Sequence, residues 1–361
     1  MNATSNDMKN NINDFRPRTF DQVVGQDDIK ENLKLKITAF RKTNNSVVHM
    51  LFLGFSGVGK TTMANVIANE MGVNFHQIMA TRIKSWNDFY NVLKDVEEND
   101  VIFIDEIHAL APKIQEQLYS VMEDFICTLE DKNLAKMRQV RVPRFTLIGA
   151  TTHSGDLNPP LMSRFQYKAQ LVPYNFEELT KMVQTAGERV YNIDIPMDVA
   201  NRIARLSRKT ARLCYNLLRS FMDVAEAQTY GKVTPDMLTS ELLYKTLKLE
   251  QIDPIIGLDY ASRKYIVTLL RENAPIGSRS LGAMINEQES TILGMIEPFL
   301  LSDIELEHKE QGNVVRKSGP FVRITKKGRV ATDNAYSYIK LCHSLQKLGW
   351  FNNESLGVKS E

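Results

Sequence analysis

The feature that most constrains the fold is a glycine-rich segment between an apolar run and a helical pattern. The apolar run at 47–53 predicts a buried strand that ends at Gly54. Apolar residues return at helical spacing from Met63, which predicts a helix that begins near Lys60. Between them lies Gly-x-x-x-x-Gly-Lys-Thr, the P-loop pattern, whose backbone N–H groups and helix N-terminus surround a phosphate. The chain is therefore predicted to bind a nucleoside triphosphate.

The parts of this P-loop have separate predicted tasks. Lys60 would reach the β- and γ-phosphates of the nucleotide, and the Thr61 hydroxyl would ligate Mg²⁺. Glycines permit backbone conformations that are closed to other residues, so the N–H groups of the loop can turn toward the anion. The residues of this segment that are predicted to bind the nucleoside triphosphate are Gly54, Gly57, Val58, Gly59, Lys60, Thr61 and Thr62.

Composition limits the class of protein. The chain has 361 residues, 43% of them hydrophobic and 24% charged, which is typical of a soluble globular protein with two or three domains. Its three cysteines lie far apart and lack the spacing of a metal site, so we expect a reducing cytoplasm. No apolar run approaches the roughly 20 residues of a membrane span, and no contact with a membrane is expected.

Strand and helix patterns alternate in the first half of the chain. Apolar runs at 73–78, 101–104, 145–150 and 167–172 predict four further strands, with helical patterns among them. Such alternation predicts an α/β fold with a parallel sheet. From residue 175 onward the apolar stripes are helical, and the last part predicts short helices followed by a basic β-ribbon. Helices with such a ribbon indicate a winged-helix DNA-binding domain.

These patterns divide the chain into five predicted segments. A polar leader, expected to be disordered, comes first, and a large ATPase domain follows it. A helical lid domain and the winged-helix domain come next, before a short tail. The predicted bounds are 1–15, 16–174, 175–250, 251–340 and 341–361.

Two adjacent carboxylates follow the strand at 101–104. Beside a bound triphosphate, Asp105 could complete the Mg²⁺ shell and Glu106 could deprotonate the attacking water. An apolar run that ends in acidic residues is weak evidence alone, but the upstream P-loop favours this function. Thr152 follows the next strand. Its hydroxyl could contact the γ-phosphate, or the threonine could be there only because threonine favours strands. His108 is predicted to cap or pack the following helix rather than to join the site.

Basic residues suggest further contacts. Arg164 is either an exposed surface residue or an arginine finger that reaches a neighbour's nucleotide. Six basic residues between 201 and 219 suit a solvated helix face, from which one could contact the γ-phosphate. The stretch 309–329 has seven basic residues and one acidic residue, which suits either DNA phosphates or a solubilising loop. The predicted DNA contacts are Arg316, Lys317, Arg323, Lys326, Lys327 and Arg329.

An ordered series of short motifs between residues 16 and 332 resembles the RuvB family of AAA+ ATPases, motors of four-way DNA junction branch migration. The P-loop alone is generic, whereas the series in this order is specific. Before the C-terminal third it comprises Arg16-Pro-x-x-Phe20, Val24-Gly25-Gln26, Asp105-Glu106-Ile-His108, Leu118-Tyr-x-x-Met122-Glu-Asp-Phe125, Phe145-Thr-Leu-Ile-Gly-Ala-Thr-Thr152 and Pro160-Leu-x-x-Arg164-Phe165. In the C-terminal third it comprises Gly257-Leu-Asp259, Glu297-Pro-x-Leu300 and Gly328-Arg-x-Ala-Thr332.

The resemblance implies roles for particular residues and partners for the chain. It implies a homo-hexamer that uses ATP to move along duplex DNA and four-way junctions, and a hairpin at 126–141 that docks onto a RuvA-like protein. Arg323 and Arg329 would lie on the wing that follows the DNA backbone. The implied nucleotide contacts are Arg16, Val24 and Tyr174 near adenine, Thr152 as first sensor, Arg212 as second sensor, and Arg164 as the finger acting in the neighbouring subunit.

The chain departs from the family pattern at several places. The second-sensor motif, usually Gly-Thr-Pro-Arg, is Lys209-Thr-Ala-Arg212, and 302–319 resembles an insertion before the wing. The hairpin tip at 130–137 is more polar than a hydrophobic docking surface. Two other functions stay open. One is a clamp-loader-like or helicase-loader-like switch on DNA without processive translocation. The other is a non-motor scaffold in which ATP only sets the oligomeric state.

Overall fold

The computed structural model describes residues 15–43, 48–131, 136–229, 231–310 and 313–346. These residues form two compact units, one from Phe15 to Pro173 and one from Tyr174 onward. Among them, no helix combines the length and apolar character needed to cross a membrane. Most of the predicted leader, residue 47 of the first predicted strand and the greater part of the predicted tail lie outside the described ranges.

The first unit is a parallel sheet with helices around it. Its strands are β1 (Met50–Leu53), β2 (Phe75–Met79), β3 (Val101–Asp105), β4 (Ile126–Asp131), β5 (Lys136–Arg141), β6 (Thr146–Thr151) and β7 (Tyr167–Gln170). Its helices are α1 (Asp27–Thr43), α2 (Lys60–Met71), α3 (Trp86–Leu93), α4 (Pro112–Asp124) and α5 (Pro159–Arg164). In the described part of this unit, five strands pair in parallel in the order β2-β3-β6-β1-β7. The predicted parallel α/β sheet is thereby confirmed.

The sheet is buried because helices cover both of its faces. Successive strand residues point to opposite faces, so Ile102 and Ile104 pack with α3 and α4, among them Phe89. On the other face, Phe103 packs with α1 and α2, among them Val66. A strand covered on both faces needs apolar residues at every position, which explains the uninterrupted apolar run of β3. By contrast β2 lies at an edge and is only half-buried.

A two-stranded hairpin, β4 with β5, follows α4 in the first unit, and Cys127 of its first strand is buried in the core. Its register pairs Ile126 with Arg141 and Asp131 with Lys136. This is the hairpin that the resemblance implied at 126–141. Within the tip predicted at 130–137, residues 132–135 lie outside the described residues, and their polar character is known from the sequence alone.

The second unit is mainly helical and carries two β-hairpins. Its helices are α6 (Phe176–Ala186), α7 (Met197–Leu206), α8 (Ala211–Thr229), α9 (Ser240–Leu249), α10 (Tyr260–Glu272), α11 (Ser278–Ile285), α12 (Glu289–Thr291), α13 (Glu297–Leu300) and α14 (Asp333–Gln346). Its strands are β8 (Ile304–Glu310), β9 (Asn313–Gly319), β10 (Val322–Thr325) and β11 (Gly328–Ala331). A capping box starts α6, in which Asn175 and Glu178 each accept the other's backbone N–H at 2.8 Å.

The basic stretch at 309–329 is divided between two separate hairpins. The stretch that resembled an insertion forms β8 and β9, which pair antiparallel from Ile304 opposite Gly319. Ile304 and Leu306 are buried on the inner face of this hairpin, and this anchors it to the core of the unit. The wing is the second hairpin, β10 with β11, in which Val322 pairs with Ala331. The division matters because basic residues that adjoin in sequence lie on different hairpins.

Candidate functional site

The P-loop occupies the turn between β1 and α2 in the first unit. Gly54, Gly57 and Gly59 have positive φ angles of 144°, 85° and 99°. At Gly54 a Cβ atom would lie 2.6 Å from the carbonyl oxygen of Leu171, so the backbone conformation and the space both require glycine there. Val58 is fully buried, which fixes the middle of the loop to the core. The predicted strand, loop and helix therefore occur in the expected order.

The side chain of Lys60 is folded into this loop. Its Nζ donates hydrogen bonds to the carbonyl oxygens of Gly54 at 2.7 Å and Phe55 at 3.1 Å, and the residue is 7% exposed. The next two residues, Thr61 and Thr62, are half-buried in the first turn of α2. The ammonium group and the positive end of the helix therefore face the same small space, which suits an anion.

The two predicted carboxylates end β3 beside this loop. The Asp105 carboxylate accepts the backbone N–H of Glu106 at 3.1 Å, and Glu106 itself has a left-handed φ of 50°. Its Oε2 accepts hydrogen bonds from the backbone N–H and the hydroxyl of Thr152 at 3.4 and 3.3 Å. Because β3 and β6 are neighbours, their carboxyl ends meet. The structure thus brings together Glu106 and Thr152, which the sequence placed 46 positions apart.

A small cavity joins the first-sensor position to the P-loop. It has a volume of about 80 Å³ and lies at the carboxyl ends of β1 and β6. Its lining comprises Leu53, Gly54, Phe55, Thr151, Thr152 and Gln170. Thr152, which was predicted to contact the phosphate, therefore lies at the edge of the sheet where the P-loop opens.

His108 lies in the site, although the sequence predicted only a capping or packing role. Its Nδ1 lies 3.3 Å from Glu106 Oε2 and 2.8 Å from the Thr151 hydroxyl oxygen, and its ring meets His153 edge-on at 5.3 Å. Burial lowers the pKa of His108 below its ordinary value, although the neighbouring Glu106 opposes the shift. A neutral imidazole therefore contacts the candidate general base. The signal in the sequence was its position two residues after Glu106, at a strand end.

The segment predicted to lie near adenine is packed onto the same unit. Arg16 and Val24 are both half-buried. Phe20 donates its N–H to Glu70 of α2 at 3.1 Å, and the Gln26 amide donates to the carbonyl of Val172 at 2.7 Å. These contacts hold the segment between the helix that follows the P-loop and the end of β7.

Comparisons with known proteins agree with this geometry. Residues 15–171 match the model of the Holliday junction DNA helicase RuvB P-loop domain, and residues 256–319 match that of the RuvB C-terminal winged helix domain. The Holliday junction branch migration complex subunit RuvB of Myxococcus xanthus is 36% identical over 330 residues, which cover 90% of each chain. The chain belongs to the RuvB family. The resemblance drawn from the short motifs is thereby confirmed.

Solved structures of this family share the fold. The Holliday junction branch migration motor RuvB of Thermotoga maritima superposes with a TM-score of 0.75 at 31% identity, over 91% of this chain and 98% of that one. A variant of the same protein superposes with a TM-score of 0.75 at 30% identity, over 90% of this chain and 98% of that one. The predicted P-loop and winged-helix architecture is thus that of the RuvB family.

The predicted arginine finger, Arg164, ends α5 and is held by contacts with α4. Its guanidinium donates to Glu123 at 3.3 Å and to the carbonyl of Pro160 at 2.9 Å, and it lies 4.3 Å from the ring centroid of Tyr119. The side chain keeps 23% of its surface exposed. These partners fix the direction of the guanidinium while leaving part of it accessible.

Two predicted nucleotide contacts, Tyr174 and Arg212, belong to the second unit, although Tyr174 was predicted as the last residue of the ATPase domain. Tyr174 is 5% exposed, and its backbone N–H donates to the carbonyl of Lys209 at 3.0 Å. Arg212 is exposed in the first turn of α8. Lys209 adopts a φ of 57°, a left-handed conformation that explains the usual glycine at this position of the RuvB family.

The predicted DNA contacts separate into three groups. Arg323, Lys326 and Lys327 are exposed on the wing. Arg316 and Lys317 lie instead on β9, where the first pairs with Glu307 at 3.4 Å and the second donates to Ser337 at 3.0 Å. These two residues therefore lie outside the wing, on the hairpin formed by the stretch that resembled an insertion.

Arg329 lies on the wing but points into the unit. Its Nε lies 2.8 Å from Glu297 Oε1, and its side chain is only 15% exposed. A hydrogen bond from its second nitrogen to Glu297 Oε2 measures 3.2 Å. This bidentate pairing raises the pKa of Arg329 further and makes the residue a support at the base of the wing.

Proposed function

We propose that this chain is an ATP-hydrolysing motor that drives branch migration of four-way DNA junctions in recombination and repair. Family membership over 90% of the chain supports this function. One observation carries the ATPase part, namely that Glu106 is hydrogen-bonded to Thr152 at the adjoining ends of β3 and β6. These positions bring a candidate base and a candidate phosphate sensor to the edge where the P-loop opens.

Hydrolysis would use the groups at that edge in separate steps. Lys60 would exchange its loop carbonyls for the β- and γ-phosphate oxygens. Glu106 would take the proton of the attacking water, while Thr152 holds the carboxylate in place. Thr61 and Asp105 supply the hydroxyl and carboxylate oxygens that Mg²⁺ prefers, and a bound ion would neutralise charge on the phosphates.

Two arginines would complete the site from elsewhere. Arg164 would act on the nucleotide of the neighbouring subunit in a ring of six, and Arg212 would act within its own chain. Both would stabilise the negative charge that spreads over the transferred phosphoryl group. Tyr174, Arg16 and Val24 would surround adenine.

The DNA side of the function rests on the wing. Arg323, Lys326 and Lys327 would contact the backbone of duplex DNA, and lid movement between nucleotide states would pull the wing along it. The β4–β5 hairpin would dock a RuvA-like junction-binding protein. We place the protein in the cytoplasm, where its three buried thiols would stay reduced.

A synthetic four-way junction tests the motor. With ATP and a RuvA-like protein, the wild type is expected to convert the junction into separated duplexes, and Lys60→Ala is expected to leave it intact. Strong junction binding without ATP-dependent strand exchange, with or without the partner, would favour the loader-like switch. ATP binding that changes oligomer size without any hydrolysis would favour the scaffold.

The wing makes a second, quantitative prediction. Replacing Lys326 and Lys327 by alanine should weaken binding to duplexes of any sequence, because phosphate contacts carry no sequence information. Each lost contact should reduce the slope of log affinity against log salt by about 0.9. Fluorescence anisotropy across a salt series measures that slope. Arg316→Ala is the matched control, and an equal change in it would move the DNA surface to the β8–β9 hairpin.

A further inference from the structure

Two motifs of the RuvB family lie far from the P-loop in sequence and have no part in the nucleotide chemistry. They are the segment 257–259, before α10, and the segment 297–300, which is α13. Both lie in the second unit, together with the second-sensor loop at 209–212 and the wing. Their contacts form a continuous path between that loop and the wing.

The path begins at a tight joint beside the second-sensor loop. Gly257 has a φ of 76°, and a Cβ atom there would overlap the carbonyl oxygen of Leu206 at the end of α7. Next to this contact, Arg208 donates hydrogen bonds to Asp259 at 2.8 Å and to the Ser262 hydroxyl at 3.2 Å. The Arg208 side chain is only 10% exposed. Arg208, which directly precedes the second-sensor loop, is therefore bound to the start of α10.

Asp259 has two functions at this joint. Besides pairing with Arg208, it is the N-cap of α10 and accepts the backbone N–H of Ser262 at 2.8 Å. Burial raises the pKa of Asp259, but Arg208 and the Ser262 N–H outweigh burial and lower it below the ordinary value. The carboxylate is therefore ionised at neutral pH, and it links the loop to α10 by an ion pair.

The middle of α10 is linked to the wing through Glu297. Tyr265 of α10 is fully buried and donates its hydroxyl to Glu297 Oε1 at 2.8 Å. Glu297, which is 2% exposed, is the carboxylate that holds Arg329. Backbone bonds between Arg329 and Ile276, at 2.8 and 3.0 Å, close the base of the wing. Movement of α10 would therefore carry the wing with it.

We propose that these contacts form a relay that couples the second-sensor loop to the DNA-binding wing. The members of the relay, in order, are Arg208, Asp259, Tyr265, Glu297 and Arg329. A shift of the loop with nucleotide state would be costly unless the wing follows, because separating the two residues leaves the guanidinium of Arg208, which is 10% exposed, without its carboxylate partner. The coupling is reciprocal, so DNA on the wing changes nucleotide affinity by the same factor. The relay rests on the proposed motor function.

The test measures coupling rather than stability. The duplex dissociation constant is determined with ADP and with a non-hydrolysable ATP analogue, and the ratio of the two reports the coupling. Asp259→Asn retains a good N-cap but loses the ion pair with Arg208. We expect the two dissociation constants of the wild type to differ about tenfold. For Asp259→Asn we expect their ratio to be close to one. Glu297→Gln, at the other end of the relay, is expected to do the same.

Controls separate the relay from a general loss of structure. Glu307→Gln removes an exposed carboxylate from the same unit, beside Arg316, and should leave the ratio unchanged. Thermal unfolding of Asp259→Asn measures the stability lost when Arg208 loses its carboxylate partner, and the DNA-free ATP hydrolysis of the folded variant should stay close to wild type. If the single substitution unfolds the unit, the double variant Arg208→Gln with Asp259→Asn removes both charges, and it should also bring the ratio close to one.

The outcomes distinguish the relay from the function on which it rests. A wild-type ratio of one overturns the relay, as does a ratio that stays at the wild-type value in folded Asp259→Asn and Glu297→Gln. A lowered unfolding temperature with an unchanged ratio shows a purely structural role and also overturns it. Absence of any duplex binding by the wild type overturns the proposed motor function itself.

Discussion

Glu106→Gln is expected to bind ATP and to lose turnover by about 10²–10⁴-fold, the usual contribution of a general base. Glutamine has nearly the shape of glutamate and can still accept the hydrogen bonds from Thr152. It cannot accept a proton from water at neutral pH, so binding and chemistry should separate. Steady-state hydrolysis gives the turnover number, and titration with a fluorescent ATP analogue gives the affinity.

A matched control makes the expected result specific. Glu116 is exposed on α4 of the same unit, so Glu116→Gln removes one negative charge without touching the site. It should hydrolyse ATP at the wild-type rate. Turnover close to wild type in Glu106→Gln would exclude this residue as the base. An equal loss in both variants would indicate a general effect of charge on the unit.

The parts of the site that could be predicted from the sequence are those formed by residues that adjoin in the chain. The P-loop needs a strand, a glycine-rich turn and a helix in succession, and all three follow from residues near Gly54. Asp105 and Glu106 could be predicted because they are two acidic residues directly after an apolar run. The meeting of Glu106 with Thr152 needed the strand order, in which β6 lies between β3 and β1. That order depends on pairing between distant segments, which no periodicity reveals, and the family resemblance supplied only the role of Thr152 as first sensor.

The parts that sequence could not predict depend on partners far along the chain. The sequence shows that Arg329 is basic, but the carboxylate that holds it lies 32 positions earlier. His108 is similar, because its hydroxyl partner Thr151 comes 43 residues later on another strand. The polar stretch at 302–319 gave no clear strand signal, since only its inner positions, such as Leu306, needed to be apolar. For Arg329 and His108 the deciding contact is non-local, whereas β8 pairs with β9, the next strand along the chain.

Arg164→Ala is expected to retain ATP binding and to lose hydrolysis by about 10³–10⁵-fold, the range found for arginine fingers. The reason is its placement, since Glu123 and Tyr119 hold its guanidinium at α4 while part of it stays exposed. Arg144→Ala is the control, because it removes an exposed arginine elsewhere in the same unit. Normal turnover in Arg164→Ala would remove the residue from the site.

Mixing subunits decides whether the arginine acts on its own nucleotide or on that of a neighbour. Lys60→Ala rings lack a functional P-loop at every site, and Arg164→Ala rings lack the finger at every site. In a mixed ring, some interfaces pair the intact P-loop of one variant with the intact arginine of the other, so hydrolysis should partly return. If Arg164 acted within its own chain, no site in the mixture would be complete and hydrolysis would stay absent. Recovery on mixing therefore requires both a finger that acts in trans and an assembled ring.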